Sequence, residues 1–178
     1  TDGEIPPSDD VVIIPQEHLG WPGAALKRFH IYDEANRNLF SDMDYLFAID
    51  ADMRFVRPVG EEILGRITAV SRDVGKHRTY ERKKKSTAYV KKKRAKHYFA
   101  GAFYGGKRRE FFKMVHRLKI RVDKDLSWGY IAVWHDESYL NRYLLDHPPQ
   151  VYLDTSYCYL ERVAPDYVPK IIALDKTK

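Results

Sequence analysis

Residues 45–52 read YLFAIDAD. The first five, Tyr45 to Ile49, are almost all apolar, which is typical of a central strand covered on both faces inside an α/β sheet. Asp50 and Asp52 follow directly. Ligands of open α/β sheets bind beyond the carboxyl ends of the strands. The stretch therefore predicts an α/β fold with a candidate site just after this strand.

The rest of the chain alternates between helical and extended patterns. Apolar residues recur at three- and four-residue spacing from Ala24 to Ala35, which predicts a helix with Arg28 beside its apolar stripe. Two later helices are predicted, one over 109–120 and one that follows 133–138 and ends before Pro148. Strands are predicted at 11–14, as a buried strand, and at 97–106, 150–153 and 170–174.

Length and composition are those of one soluble globular domain, residues 1–178. The chain is 44% hydrophobic and 31% charged, which excludes collagen-like and low-complexity proteins. No apolar run approaches the roughly 20 residues that a membrane-spanning helix needs. The single cysteine, Cys158, excludes a disulfide framework and a cysteine-rich zinc site, and we expect a buried, inert thiol.

The net charge of +6, from 31 Lys+Arg against 25 Asp+Glu, is concentrated in one segment. Nine bases and no acid lie between 82 and 96, which leaves 22 bases against 25 acids elsewhere. We expect a solvated loop and no nucleic-acid partner, because no stacking platform beyond Tyr89 accompanies the bases. Nucleic-acid binding through this loop, and docking of the loop on an anionic membrane, are the alternatives. The nine bases are Arg82, Lys83, Lys84, Lys85, Lys91, Lys92, Lys93, Arg94 and Lys96.

Asp50 and Asp52 form a candidate metal site. Side chains at i and i+2 of an extended segment point to the same side, so the two carboxylates can hold one divalent cation. Oxygen-only ligation suits magnesium or manganese, and the open positions of such an ion suit a diphosphate. The alternative is a pair of loop acids that only solvate the end of the strand.

The stretch Trp134-His135-Asp136-Glu137 is a second candidate site. An indole stacks on the C–H face of a sugar, while carboxylates bind hydroxyls or act as nucleophile or base. The same stretch suits the start of a helix with Asp136 as N-cap, and both interpretations can hold together. The small residues Ala100-Gly101-Ala102 permit close approach by a ligand or by another backbone.

Several stretches, taken in this order and spacing, resemble one family of enzymes, glycosyltransferase family 6. This is the family of the histo-blood group A and B transferases and the α1,3-galactosyltransferases. The resemblance runs from about Trp21 to Lys176. The stretches that carry it are DAD at 50–52, TYERK at 79–83, STAY at 86–89, YFAGAFYGG at 98–106, AVWHDES at 132–138 and LNRYLL at 140–145.

The resemblance implies a GT-A fold and a retaining transfer of galactose or N-acetylgalactosamine from UDP to the 3-hydroxyl of a β-galactoside on a glycan or glycolipid. Asp50 and Asp52 match the pair that holds the UDP diphosphate through Mn²⁺, and Glu137 matches the proposed nucleophile beneath the anomeric carbon. Whether that carboxylate bonds to the sugar or supports an ion pair stays open. The resemblance also implies donor contacts from Arg28, Ala51, Ala100, Gly101, Ala102, Asp136 and Lys176, and acceptor contacts from Thr79, Trp134 and Glu137.

Departures from the family pattern qualify these expectations. The chain has no counterpart of the strand and helix that supply most uridine contacts in the family, so we expect a catalytic domain that is incomplete at both ends. An inactive or truncated binding relative is therefore an alternative. Residues 154–160 depart from the family's acceptor motif, and its acidic acceptor contact falls at Leu160. The small Ala100 favours N-acetylgalactosamine as donor sugar.

The segment from Trp21 to His30 is more similar to the prokaryotic and phage branch of the family than to the vertebrate branch. A prokaryotic or phage origin implies a cytoplasmic protein, whereas a eukaryotic origin implies the Golgi lumen. Many bacterial members carry asparagines in place of the metal-binding acids. This chain keeps Asp50 and Asp52, which favours metal dependence.

Overall fold

The computed structural model describes residues 5–6, 8–34, 38–72, 79–161 and 168–175. Within these ranges the helices are α1 (Gly23–Leu26), α2 (Arg28–Glu34), α3 (Arg108–Ser127) and α4 (His135–Asp146). The strands are β1 (Tyr45–Ile49), β2 (Met53–Phe55), β3 (Ile67–Ser71), β4 (Phe99–Lys107), β5 (Val151–Leu153), β6 (Tyr159–Leu160) and β7 (Ile171–Ala173).

A four-stranded sheet supports the candidate site. Its strand order is β1-β4-β3-β5, in which β4 is antiparallel to both β1 and β3, and β3 is parallel to β5. A smaller sheet has the order β2-β7-β6. Helices and sheets pack together, so the predicted α/β class is confirmed in the coarser sense of a mixed α/β protein.

Helix α3 packs against β1 and β4 and contacts α2 and α4. Its buried side carries Phe112, Met114, Val115 and Leu118 at helical spacing, and these side chains belong to the main hydrophobic cluster. Close packing of the sheet depends on Gly105 and Gly106 in β4, because a Cβ atom at these positions would clash with the backbone of the neighbouring strand segments. The helix is longer than the predicted 109–120 because charged and apolar residues continue the same pattern to Ser127.

The expectation that 45–49 is a central strand is wrong for the described part of the chain, although side chains on both faces of the strand contact a hydrophobic cluster. In that part of the chain, β1 pairs with β4 only and lies at the edge of the sheet. Ala48 is buried, whereas Ile49 is 37% exposed. An apolar run predicts a strand, but it does not tell how many neighbours that strand has.

The predicted strand at 11–14 is also not observed. These residues adopt no regular structure, and Val12 and Ile13 are 64% and 60% exposed. A β-branched run forms a strand only where another strand is available for pairing. The helix predicted from Ala24 is present as the short helices α1 and α2, which are separated at Lys27, and its last predicted residue, Ala35, lies outside the described residues.

Candidate active site

A cavity of about 480 Å³ opens between the carboxyl end of β1, the first half of β4, helices α1 and α2, and the start of α4. It brings together eight residues that the sequence predicted for the site, although they are spread over more than 100 positions of the chain. These residues are Arg28, Asp50, Thr79, Gly101, Ala102, Trp134, Asp136 and Glu137.

Arg28 of α2 connects the two acidic stretches. Its Nη1 donates to Asp50 Oδ1 at 2.9 Å and lies 3.3 Å from Asp136 Oδ2. The same nitrogen is 3.4 Å from the carbonyl oxygen of Gly101. The pKa of Arg28 lies above its ordinary value. Burial lowers this pKa, but the charges of nearby groups, Asp136 foremost, raise it by more, so the guanidinium stays charged. One cation therefore holds two carboxylates of the cavity in place.

Asp136 is the most deeply buried acid of the cavity. Burial raises its pKa to about 6; Arg28 opposes this rise, while the charges of Asp50 and Glu137 add to it. A carboxyl group with such a pKa can exchange a proton near neutral pH, which is common at functional sites and also occurs in structural ion pairs.

Both carboxylate oxygens of Glu137 accept a hydrogen bond. The hydroxyl of Tyr98 donates to Oε1 at 2.5 Å, and the backbone N–H of Gly101 donates to Oε2 at 2.7 Å. A Cβ atom on Gly101 would lie 3.2 Å from the Cβ of Glu137, so the close approach of β4 to α4 favours glycine here. These contacts fix the orientation of the Glu137 carboxylate in the cavity.

Tyr98 stays a hydrogen-bond donor at neutral pH. Burial, together with the charge of Glu137, raises the pKa of the Tyr98 hydroxyl above its ordinary value. Its ring packs edge-on against Tyr80 at a centroid distance of 5.1 Å, and the ring itself is almost fully buried. The hydroxyl is therefore held rigidly against Glu137.

The start of α4 places Asp136 and Glu137 side by side in the cavity. Trp134 is the N-cap and its N–H donates to Ser138 Oγ at 2.9 Å, so the prediction of Asp136 as N-cap is wrong. Asp136 lies one position inside the helix because His135, with φ of 44°, already begins it. A left-handed conformation is uncommon for a residue other than glycine, and such strain concentrates at functional sites.

Two indoles lie at the opening of the cavity. Trp134 is 51% exposed and Trp21 is 77% exposed, and the Trp21 ring packs edge-on against His135 at 4.7 Å. Exposed indole faces beside carboxylates suit the binding of a sugar, which presents both apolar C–H patches and hydroxyls. Trp21 was not among the residues predicted for the site.

The stretch from Asp50 to Asp52 forms a turn, with Met53 N–H donating to the Asp50 carbonyl at 3.1 Å, and not the expected extended segment. The i, i+2 alternation of a strand therefore does not apply. Asp50 lines the cavity, while Ala51 is exposed and Asp52 is half-buried at the junction with β2. The pairing of the two carboxylates on one metal ion stays a prediction.

Two further residues of the predicted donor site, Ala100 and Lys176, are not among the described lining of the cavity. Ala100 is fully buried in the cluster that contains Val70 and Cys158, and the described lining of the cavity reaches Gly101 and Ala102 but not Ala100. Lys176 lies outside the described residues.

Tyr98 and Arg72 also line the cavity, although neither was predicted for the site. Tyr98 lies 39 positions from Glu137, so no local spacing relates the two, although it begins one of the stretches that carry the resemblance. Arg72 directly follows β3, and its Nη2 lies 3.6 Å from Cys158 Sγ. Cys158 is buried, as expected, and burial raises the pKa of its thiol.

Within the described residues, no group of three or more His, Cys, Asp or Glu side chains is arranged to hold a metal ion. Each helix in the same part of the chain is too short or too polar to cross a bilayer.

Known proteins to which the chain is similar are glycosyltransferases. Histo-blood group ABO system transferase 1 of Rattus norvegicus is 32% identical over 159 residues, which cover 86% of this chain and 46% of that protein. Globoside alpha-1,3-N-acetylgalactosaminyltransferase 1 of Homo sapiens is 31% identical over 157 residues, or 83% of this chain and 44% of that protein. The chain spans about half the length of these two relatives.

The match to a bacterial relative covers a larger share of this chain and of the relative than the two matches above. The O-antigen biosynthesis glycosyltransferase WbnI of Escherichia coli is 28% identical over 176 residues, which cover 95% of this chain and 74% of that protein. This match agrees with the predicted likeness to the prokaryotic branch. The sequence model described as "Glycosyltransferase family 6" matches residues 7–177. Because this match covers almost the whole sequence, the chain belongs to glycosyltransferase family 6.

Proposed function

We propose that residues 1–178 belong to the catalytic domain, of GT-A fold, of a retaining α1,3-glycosyltransferase. The enzyme transfers galactose or N-acetylgalactosamine from UDP to the 3-hydroxyl of a galactoside. The observation that supports this most is the Glu137 carboxylate, held on both oxygens within the cavity beside the Arg28 ion pairs. The names of the relatives, which include an α1,3-N-acetylgalactosaminyltransferase, agree with this class of reaction.

Glu137 supplies negative charge beneath the anomeric carbon in this proposal. As the bond to the diphosphate breaks, positive charge develops on the sugar, and a fixed carboxylate on the opposite face stabilises it or bonds to it. The hydrogen bonds from Tyr98 and Gly101 hold the carboxylate in position before the substrate binds, so little reorganisation is needed during the reaction.

Arg28 and Asp136 orient the donor sugar. Sugar hydroxyls can donate to carboxylates and accept from guanidinium groups, and both kinds of partner line the cavity. The small side chain of Ala102 leaves room in the cavity for an acetamido group. N-acetylgalactosamine is therefore the favoured donor sugar, with galactose as the alternative.

Asp50 and Asp52 would hold a divalent cation, and that cation would bind the diphosphate of the donor. Asp50 presents its carboxylate to the cavity and Asp52 lies two residues further along the same turn, so both ligands are hard oxygen donors of the kind that Mn²⁺ accepts. When bound, the ion neutralises the charge of the departing diphosphate. Arg28 Nη1 donates to the Asp50 carboxylate and holds it in place.

Trp134 and Thr79 are the proposed acceptor contacts. Both line the cavity, and the exposed indole of Trp134 offers a stacking face to a galactoside. Leu160 is 51% exposed at the end of β6, where the family pattern has an acid. An apolar residue at this position makes the acceptor preference a property of this chain rather than of the family.

Transfer assays on the protein from its complete open reading frame test the proposal. We expect a galactoside to receive sugar from UDP-N-acetylgalactosamine or UDP-galactose with Mn²⁺, and no transfer with EDTA. Replacement of both metal-binding acids, Asp50→Asn with Asp52→Asn, should abolish the dependence on Mn²⁺ together with the activity. Glu137→Gln should lower kcat by about a hundredfold or more, because it removes the charge beneath the anomeric carbon.

Glu17→Gln is the matched control, since Glu17 is exposed and lies outside the cavity. Its kcat should equal that of the wild type. Calorimetry that finds UDP binding without transfer to any galactoside would contradict the proposal and identify a binding relative instead.

A further inference from the structure

All nine bases of the segment 82–96, here called the basic segment, are exposed. Between the two runs of bases, 82–85 and 91–96, the side chains of Ser86, Ala88 and Val90 are buried. The segment therefore has an inner side that packs on the protein and an outer side that carries cations. Seven of the nine are lysines.

Buried hydrogen bonds fix this segment to the helical layer. Asp125 of α3, which is fully buried, accepts from Ser86 Oγ at 2.5 Å and from Thr87 N–H at 2.8 Å. Just before the segment, the buried Glu81 accepts from Lys83 N–H at 2.6 Å and from Tyr130 Oη at 2.9 Å. The first part of the segment is therefore held against the protein, so a ligand that binds there needs little additional ordering of the backbone.

Most of these cations are not neutralised by the protein. Among the described residues, none of the five lysines at 83, 84 and 91–93 has a carboxylate within ion-pair distance. Arg94 pairs with Asp146 at 2.8 Å, but Arg121 and Arg142 approach the same carboxylate, which leaves an excess of positive charge. Nη1 of Arg121 is buried and has no hydrogen-bond partner in the described part of the chain.

Two grooves flank Arg94. One, of about 230 Å³, is lined by Lys91, Arg94, Arg142 and apolar or aromatic residues of the segment and α4. The other, of about 320 Å³, is lined by Lys93, Arg94, Lys96 and His97 against an apolar wall that includes Tyr152. Neither described lining contains a carboxylate. Grooves with cations at the rim and apolar walls fit a phosphate group joined to a hydrocarbon part.

We propose that the basic segment, together with Arg142, is a docking surface for an anionic phospholipid membrane, with lipid phosphates in the grooves on either side of Arg94. A surface rich in exposed lysines is attracted to an anionic leaflet without sequence-specific contacts. Single-stranded nucleic acid would need exposed rings for stacking, whereas Tyr89, the one aromatic residue in the segment, is half-buried. The proposal does not depend on the proposed transferase activity.

The segment is flanked at both ends by residues of the cavity. Thr79 precedes it and Tyr98 follows it, and both line the candidate active site. A protein docked through this segment would hold the opening of the cavity near the membrane surface. An acceptor carried by a membrane lipid would then be concentrated at the site.

Co-sedimentation with vesicles tests the proposal. We expect the protein to bind phosphatidylglycerol-containing vesicles and not pure phosphatidylcholine vesicles. The triple variant Lys91→Gln, Lys92→Gln, Lys93→Gln should bind about a hundredfold more weakly, since each lysine near an anionic surface contributes about fivefold. Arg142→Gln, which alters one groove, should also weaken binding, with thermal unfolding of each variant as the check on folding.

The matched control removes the same charge from α3. Arg109→Gln, Lys113→Gln and Arg117→Gln replace three exposed bases that line a separate groove, and this variant should bind like the wild type. Equal weakening in both triple variants, or wild-type binding by the Lys91–Lys93 variant, would overturn the proposal. Release of the protein from vesicles by an oligonucleotide of higher affinity would also overturn it and assign the surface to nucleic acid.

Discussion

Glu137 and Asp136 are neighbours in α4, yet the structure gives them different environments. Glu137 is held by two hydrogen-bond donors from β4, Tyr98 and Gly101. Asp136 has Arg28 as its cationic partner and is more deeply buried. Two adjacent carboxyl groups in unlike surroundings are suited to different tasks, charge stabilisation at the anomeric carbon and orientation of the sugar.

The contact between Tyr98 and Glu137 leads to a kinetic prediction. Tyr98→Phe removes a charge-assisted hydrogen bond to the carboxylate, so kcat should fall by about ten- to a hundredfold with little change in KM. Steady-state kinetics with varied donor concentration measure this split. Tyr152→Phe is the control and should leave kcat and KM unchanged, because Tyr152 is not among the residues described as lining the cavity. An unchanged kcat in Tyr98→Phe would show that Tyr98 does not position Glu137.

The raised pKa of Asp136 predicts a pH-dependent stability. Because this pKa is about 6 in the folded protein against an ordinary value of 3.8, the folded protein binds more protons than the unfolded chain between these values. The free energy of unfolding should therefore fall, relative to that of Asp136→Asn, by about 3 kcal/mol as the pH rises through this window. Below this pH window the carboxyl group is protonated in both the folded and the unfolded state, so it adds no pH dependence to the free energy of unfolding.

Urea unfolding of both proteins in EDTA at several pH values measures this difference. Asp9→Asn, at an exposed position, is the control and should follow the wild type. The two proteins could instead differ in free energy of unfolding by an amount that stays constant with pH or changes in the opposite direction. Either result would show that the carboxyl group is not buried as described.

At the scale of elements, β4, α3 and α4 could be predicted because the residues that form each element also determine how it packs. Apolar residues at helical spacing form the buried side of α3, and the small residues of β4 permit its close approach to α4. Residues 11–14 and β1 show the limit of such patterns, since their exposure depends on which strands lie beside them. The pairing of Arg28 with Asp50 and Asp136 likewise arises only when three elements meet, so sequence could name the residues but not the contacts.

The attachment of the basic segment to α3 leads to a prediction about stability. Asp125→Ala leaves the donors of Ser86, Thr87 and Tyr139 without their common acceptor, so unfolding should require about 3 kcal/mol less free energy. Hydrogen exchange over residues 82–90 should accelerate as the segment detaches. Denaturant unfolding and exchange measured by mass spectrometry test both effects.

Asp123→Ala is the matched control for this variant. Asp123 lies on the same helix but is exposed, and it pairs at the surface with Lys27 and His30. Its loss should cost less than about 1 kcal/mol and should not change exchange in the basic segment. Equal destabilisation by the two variants would contradict the anchoring role of Asp125.

At the scale of the whole molecule, the net charge of +6 describes two distinct regions. The cavity collects carboxylates around Arg28, whereas the basic segment begins and ends beside that cavity with its cations outward. The charge sum outside the segment also concealed a second set of exposed bases, which line a groove of about 580 Å³ on α3. The positions of the bases in the sequence predicted one basic segment. The fold was needed to show that the carboxylates collect in the cavity and that further bases collect on α3.

The anomeric configuration of the product is the decisive test of a retaining reaction supported by Glu137. Proton NMR of the disaccharide formed from UDP-N-acetylgalactosamine or UDP-galactose and a galactoside should show an α1,3 linkage, in the wild type and in Glu17→Gln. Glu137→Gln, folded as judged by its thermal unfolding, should form almost no product. A β-linked product, or wild-type turnover by Glu137→Gln, would contradict a retaining reaction supported by Glu137.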